Sequence, residues 1–442
     1  MASLVMKYHF YVLLCWVLLA GNSGAAEAWT LERVLAHALS HNPDTQLARQ
    51  RIAAAQAALE QANAAFWPRV QFQSSYMRSD NPMMVFGSIL NQRVYSPSLN
   101  FNDVPDVDNL NAKGLVTLPL YAGGKHQAGR EAARAGTQAA QEEMEAVRNI
   151  LGFEVARGFY TVQKTREFTK AAESAVESLE SNVGIARKRL AAGALLKTDV
   201  LDMEVRLAEA REDMLRAENA NALAIRSLRN LLGIEEGEFT VAESSPTTKA
   251  PEVGDYSARA ELAAARHREK AAEEQVRGGK AGYLPSVNAF GSLDYDYGWK
   301  YEEGGGSYSA GLLLQWDLWD GRQTRGKVRE AVANLESARE EQRKLRLVLD
   351  LELEQARLGL KSANERLVVT EQAVSRASES AELTRSRFEQ GTALSTQVMD
   401  AETALMNARV RRAEAEADRQ IAIAALRKAM ALPQLDSQPN TK

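Results

Sequence analysis

The 442-residue sequence has a single cysteine, Cys15. It lies in an N-terminal segment that reads as an export signal: Lys7 precedes an apolar run from Phe10 to Ala20, and small residues lead to an A-x-A site at Ala26-Glu27-Ala28. Cleavage would start the mature chain near Glu27 or Trp29 and leave it with no thiol and no disulfide. A lipoprotein signal needs a small residue just before the cysteine, and Leu14 stands there, so no lipid is expected either. Long apolar runs are also lacking. The signal run falls far short of the roughly 20 residues a spanning helix needs, and nothing downstream approaches that length. An exported chain of this kind is either soluble in the periplasm or inserted as a β-barrel, because only helices and closed barrels satisfy their backbone groups in lipid.

No excess of one charge exists: 54 Lys and Arg are interspersed with 58 Asp and Glu, for a net charge of −4. Nothing therefore points to nucleic acid. Catalytic patterns are missing as well. His37 and His41 stand at i, i+4, but no zinc-protease Glu accompanies them and Asn42-Pro43 ends their segment. His126 and His267 are isolated, Gly-Gly-Lys at 123–125 and 278–280 lacks the upstream glycine of a phosphate loop, and no nucleophile elbow occurs. The expectation is no enzyme, no cofactor and no metal.

What is present is a unit written twice. Leu190-Ala191-Ala192-Gly193 with Thr198-Asp199-Val200-Leu201-Asp202 matches Phe388-Glu389-Gln390-Gly391 with Thr396-Gln397-Val398-Met399-Asp400. Phe66-Trp67-Pro68-Arg69-Val70 matches Tyr283-Leu284-Pro285-Ser286-Val287, and Leu120-Tyr121-Ala122-Gly123-Gly124 matches Leu318-Trp319-Asp320-Gly321. Each copy reads as a helix, two short strands, a very long helix, a turn and a return helix, with a longer loop in the first copy. The expected organisation is a signal (1–28), a first repeat (29–243), a Ser/Pro/Thr/Gly-rich linker (244–255), a second repeat (256–432) and a tail (433–442).

The long helices carry heptads. Val176, Leu179, Val183, Ala186 and Leu190 recur at 3,4 spacing and are answered by Val200, Met203, Leu207, Ala210, Met214, Ala217, a polar Asn221, Ala224, Leu228 and Leu231. The second copy runs Leu360, Ala363, Leu367, Thr370, Val374, Ala377, Ala381, Thr384 and Phe388, then Val398, Ala401, Leu405 and Ala408, with Arg412 and Arg419 continuing the register. Each half is thus an antiparallel coiled-coil hairpin. A soluble rod or spectrin-like bundle explains the heptads equally well.

The strands add what a rod has no use for. Val287, Ala289, Gly291, Leu293, Tyr295 and Tyr297 share one face, opposite Asn288, Ser292, Asp294 and Asp296, with Phe290 as the exception. Tyr308, Ala310, Leu312, Leu314, Trp316 and Leu318 similarly oppose Ser307, Ser309, Gly311, Gln315 and Asp317. Val70, Phe72 and Tyr76, then Val116, Leu118 and Leu120, repeat the pattern more faintly, with Pro119 interrupting the pairing. This is the apolar-out, polar-in dyad of a membrane barrel strand, although a β-sandwich core alternates in the same way. Trp67, Tyr121, Tyr283, Trp316 and Trp319 cluster at the helix side, and Tyr295, Tyr297 and Trp299 near the far loop, as bilayer-interface aromatics do. Four strands cannot close a barrel. Three copies supply twelve and remove every edge; dimers would give eight.

Over nearly the whole mature chain the sequence resembles the TolC-like outer-membrane efflux protein family. The resemblance is carried by Leu31-Glu32 to Asn42-Pro43, by Tyr121-Ala122-Gly123-Gly124 and Trp319-Asp320-Gly321-Arg322, and by the Gly193 and Gly391 turns, duplicated in one order. It implies a homotrimer with a 12-stranded β-barrel in outer-membrane lipid, continued by a long α-helical coiled-coil barrel across the periplasm. The tips would dock a periplasmic adaptor protein, which joins the duct to an inner-membrane transporter; protein secretion through the same kind of duct is the near alternative. A periplasmic structural coiled coil is the rival of a different class. Gly193, Ala194, Leu195 and Thr198 of the first tip, and Gly391, Thr392, Ala393 and Leu394 of the second, are the expected docking residues. Asp199, Asp202, Gln397 and Asp400 are the expected channel constriction, with Thr198 and Thr396 expected to cap the helices beside them. Gln397, Phe388 and Ala393 depart from the acidic, Tyr and linking Arg residues of the family pattern, so its salt-bridged lock is not expected here.

Overall fold

The computed structural model describes residues 28–100, 102–235, 239–243, 249–252 and 254–435. The expected signal up to Glu27, with Cys15, much of the linker (244–248 and 253) and the tail from 436 lie outside the described residues. The elements in chain order are α1 (Leu31–His41), α2 (Pro43–Ala64), β1 (Arg69–Ser79), α3 (Pro82–Asn91), β2 (Val107–Ala122), α4 (Lys125–Ala191), α5 (Lys197–Leu232), α6 (Ala260–Lys280), β3 (Ser286–Gly298), β4 (Glu303–Gln315), α7 (Gln323–Glu389) and α8 (Ser395–Ala429). The helices α4 and α7 are each 67 residues long, about 100 Å at 1.5 Å per residue.

Among the described residues two compact units emerge, and they cut across the sequence repeats: those within 28–48, 144–260 and 347–435 form one, and those within 49–143 and 261–346 the other. A lone helical hairpin has only its own seam to bury apolar side chains and a lone strand pair has two unpaired edges, so the two copies intermesh.

In the first unit, Thr30 caps α1 by accepting from the Arg33 N–H at 3.4 Å. Asn42 ends it: its Oδ1 accepts from the Asp44 N–H at 2.7 Å and starts α2, while its Nδ2 donates to the Leu231 carbonyl at 2.8 Å. That carbonyl lies near the end of α5, and Gly233 just beyond has φ of 70° and sits against the His41 carbonyl. The core here joins Leu31, Val34, Val155, Phe159, Leu228 and Leu232. Farther along, Val176, Leu179, Val183, Ala186, Val200, Met203 and Leu207 share one cluster with Phe388, Val398 and Met399, so the two hairpins are fused at their ends rather than packed separately.

The heptad positions are largely covered, and polar Asn221 is answered by the Thr165 hydroxyl at 3.1 Å. The second return helix differs from the sequence reading. Arg412 stays exposed and pairs with Glu416, while Ala415 and Ala417 take the buried positions. Arg419 reaches across to Asn364 Oδ1 at 2.8 Å. A guanidinium cannot replace Leu in a thin seam without losing its hydration, so the register is carried by alanine instead.

In the second unit the strands form one antiparallel sheet in the order β1-β2-β3-β4, with β2 of the first repeat paired to β3 of the second. Directly opposite residues share a face. Phe72, Gly114, Leu293 and Tyr308 align on one, and Gln73, Lys113, Asp294 and Ser307 on the other. Pairing shifts register between Pro119 and Tyr121, where proline has no N–H to donate.

The longer loop of the first copy holds a helix, α3, that no sequence periodicity marks. Asn81 caps it by accepting from the Met83 and Met84 N–H groups at 3.1 and 3.4 Å, and Pro82 opens its first turn. Its inner side, Val85 and Ile89, packs on Val94, Leu99, Val104, Val107 and Tyr301.

Candidate functional site: an inverted sheet and two helix tips

Burial on the sheet is inverted relative to a soluble protein. The apolar face is open, with Phe72 76%, Leu293 71%, Tyr308 82% and Leu312 71% exposed, whereas Ser292 and Asp296 on the polar face are 5% and 3% exposed. The polar face is internally satisfied: the Ser292 hydroxyl bonds to Asp294 and Ser309, Asn109 and Asn111 donate to Asp296, and Lys113 pairs with Asp294 at 3.5 Å. In a β-sandwich core the apolar side would be the covered one.

Trp67, Tyr121, Tyr283, Trp316 and Trp319 are all substantially exposed and gather at the sheet end nearest the long helices. The Trp316 indole N–H donates to the Tyr283 carbonyl at 3.2 Å, which ties two of them together. At the other end Trp299 contacts both Tyr76 and Tyr297 edge-on.

The two tips are built alike. At Gly193 (φ 72°) and Gly391 (φ 81°) the chain turns through the left-handed region. The Ala194 N–H returns to the Arg189 carbonyl at 2.9 Å and the Thr392 N–H to the Arg387 carbonyl at 2.8 Å, which closes the last helical carbonyls. The next helix then starts without a threonine cap, contrary to expectation. Leu196 and Leu394 precede α5 and α8, and the Asp199 carboxylate and Gln397 amide oxygen accept from their N–H groups at 3.3 and 3.1 Å. Thr198 and Thr396 sit exposed as the second residues of these helices, one residue before Asp199 and Gln397. Glutamine thus replaces aspartate in the second tip while keeping the same backbone hydrogen bond. Asp202 and Asp400 are exposed on the return helices.

Between the tips lies a cleft of about 490 Å³ lined by Gly193, Ala194, Leu195, Asp199, Ala393 and Leu394, among others. Leu196 and Leu394, both part of this lining, are 69% and 67% exposed. One residue crossing it was not anticipated from sequence. Arg189 donates to the Phe388 carbonyl at 2.9 Å and lies 5.1 Å from the centre of the Phe388 ring. The signal for it was a basic residue in the last turn of a helix, which normally serves its own carbonyls.

A second cross-link joins the hairpins farther back: Arg385 pairs with Glu402 and donates to the Ser178 hydroxyl at 3.1 Å. The Glu402 side chain is only 3% exposed. Removing Arg385 would strand a buried carboxylate, so Arg385→Met is expected to destabilise the chain by about 3 kcal/mol. Chemical denaturation of the purified protein, with the Arg385→Met/Glu402→Leu double variant recovering most of the loss, checks this.

The His37 and His41 rings stack with centroids 4.1 Å apart. Among the described residues no group of three or more His, Cys, Asp or Glu side chains comes together to hold a metal. Partial burial, His41 and Arg33 hold the His37 imidazole below its ordinary range. The unfolded chain then binds this proton more readily than the folded one, so stability is full above about pH 6.5 and falls as pH drops through that value. Replacing His37 by Gln should flatten this part of a thermal-unfolding profile between pH 7.5 and 5.

Comparison with known proteins places these features together. The sequence model described as "Outer membrane efflux protein" matches residues 34–234 and 257–432. No curated protein matches the chain in sequence. Among solved structures, the outer-membrane channel OprN is 22% identical with a TM-score of 0.79, covering 91% of this chain and 89% of its own. The outer membrane protein VceC from Vibrio cholerae is 21% identical with a TM-score of 0.77 over 91% and 96%. The Neisseria gonorrhoeae MtrE outer membrane channel, in its open state, is 16% identical with a TM-score of 0.75 over 92% and 91%. With both halves matched and its helical hairpins and sheet shared with these channels, the chain belongs to the outer membrane efflux protein family.

Proposed function

We propose that three copies of this chain form a passive outer-membrane exit duct, the last component of a tripartite efflux pump. The carrying observation is the sheet's apolar face, open on all four strands, while the polar groups of the central strands bond to one another and Ser292 and Asp296 are buried. In lipid that arrangement is favourable; in water it exposes a large apolar patch. Only one edge each of β1 and β4 is paired within the chain, and two further copies would supply partners for the others and close twelve strands around the polar face. A periplasmic structural coiled coil accounts for the helices but leaves this face without purpose.

Trp67, Tyr121, Tyr283, Trp316 and Trp319 would then mark the periplasmic interface of the bilayer. The tip residues Gly193, Ala194, Leu195, Thr198, Gly391, Thr392, Ala393 and Leu394 would meet a periplasmic adaptor that connects the duct to an inner-membrane transporter supplying the energy. The constriction falls to Asp202 and Asp400, with Asp199 and Gln397 occupied by the backbone of their own helix starts. Fractionation of cells tests the location: the chain should be recovered from the outer membrane as a trimer, and recovery from the soluble periplasm would sink the proposal.

A further inference from the structure

The helix α3 and the residues after it fold over the polar side of the sheet. Gln92 is fully buried and its Nε2 donates to the Asp108 carbonyl at 2.7 Å and to Asn109 Oδ1 at 2.9 Å. A Cβ on Gly298 would lie 2.3 Å from the Gln92 amide, and one on Gly305 would lie 2.1 Å from the Asn91 carbonyl. Gly305 stands opposite Asp296, and Gly298 follows Asp294 and Asp296 in the alternation, so both glycines belong to the polar face at the end farthest from the long helices. Two missing side chains there make the seat in which the end of α3 rests. Arg93, with φ of 65°, holds it by donating to the Gly306 carbonyl at 2.9 Å.

The helix so seated is apolar on both sides. Val85 and Ile89 are buried, whereas Met83 is 78%, Met84 51% and Leu90 45% exposed, and no residue of Pro82–Asn91 is charged. A short helix without charge, apolar all round, is ordinarily covered on every side. Lipid does not supply the cover, because the seat is on the face turned from the open apolar residues.

From this, and resting on the trimeric barrel proposed above, we infer that the three α3 helices meet across the outer mouth and make an apolar constriction there. Twelve strands about 4.8 Å apart and tilted about 40° close to roughly 24 Å between opposite backbones. A helix with its side chains is about 10 Å thick, so three helices folded inward from the rim fill that width. Met83, Met84 and Leu90 of each copy then face the same residues of the other two. A ring of this kind resists the passage of water and ions by dewetting and yields more readily to apolar solutes.

The absence of cysteine from the described residues makes the test direct. Leu90→Cys and Met83→Cys variants, oxidised in intact outer membranes, should each give a covalent dimer on denaturing gels. In planar bilayers, the triple variant Met83→Ser/Met84→Ser/Leu90→Ser should raise single-channel conductance at least twofold over the parent trimer. Trimers that remain intact on native gels, yet yield neither cross-link nor conductance change, would overturn the constriction and leave the duct standing. A chain that forms no trimer would remove the duct itself and the constriction with it.

Discussion

Leu293→Arg is expected to abolish the trimer in the outer membrane, whereas Ser307→Arg, on the neighbouring strand and the opposite face of the sheet, leaves it assembled. Leu293 is 71% exposed and lies midway along β3, on the open apolar face. In water, such a surface substitution changes stability by about 0.5 kcal/mol or less. At the middle of a bilayer an arginine on the lipid face of a barrel strand costs about 2–4 kcal/mol per chain, and each trimer would carry three. Ser307 stands opposite Asp294 on the polar face, where a new arginine gains a partner. Semi-native electrophoresis of outer-membrane fractions reads both variants, and equal trimer yields would show that the open face does not meet lipid.

Gly391→Val is the second large effect. At φ of 81° a β-branched residue is strained by about 1–2 kcal/mol, and its Cβ would press on the Arg189 guanidinium at 3.3 Å, the group that donates to the Phe388 carbonyl. The strained turn and the displaced arginine both act at the cleft between the tips. Adaptor cross-linking in cells should fall about tenfold for the loss of about 1.4 kcal/mol, with trimer yield unchanged. At Gly193 nothing lies within 4 Å of an added Cβ, so Gly193→Val tests backbone strain alone and should have the smaller effect. Cross-linking at parental levels in both variants would detach the tips from docking.

The elements with a strong period were legible in the sequence. Heptads such as Val176, Leu179, Val183 and Ala186 marked the helices, and the alternation from Val287 to Tyr297 marked β3, because each face meets a single environment along its length. Alternation alone could not say whether the apolar face was covered or open; the exposure of Leu293 beside the burial of Ser292 distinguishes them. The helix α3 escaped because it is one short stretch without a polar face, although Asn81-Pro82 carried its start. Thr198 and Thr396 were misjudged as caps because residue type was read without register; the helices start two residues earlier, where the cap is a leucine and the third helical residue supplies the acceptor. The links from Arg189 to Phe388 and from Arg385 to Ser178 join hairpins about two hundred residues apart in sequence, and no local pattern encodes such a meeting.

The most direct test of the duct is electrical. Purified trimers inserted into planar lipid bilayers are expected to conduct in steady, discrete steps without any energy source, and Leu90→Cys trimers should conduct less after oxidation than before. Stable trimers that insert into the bilayer and never conduct would contradict the account.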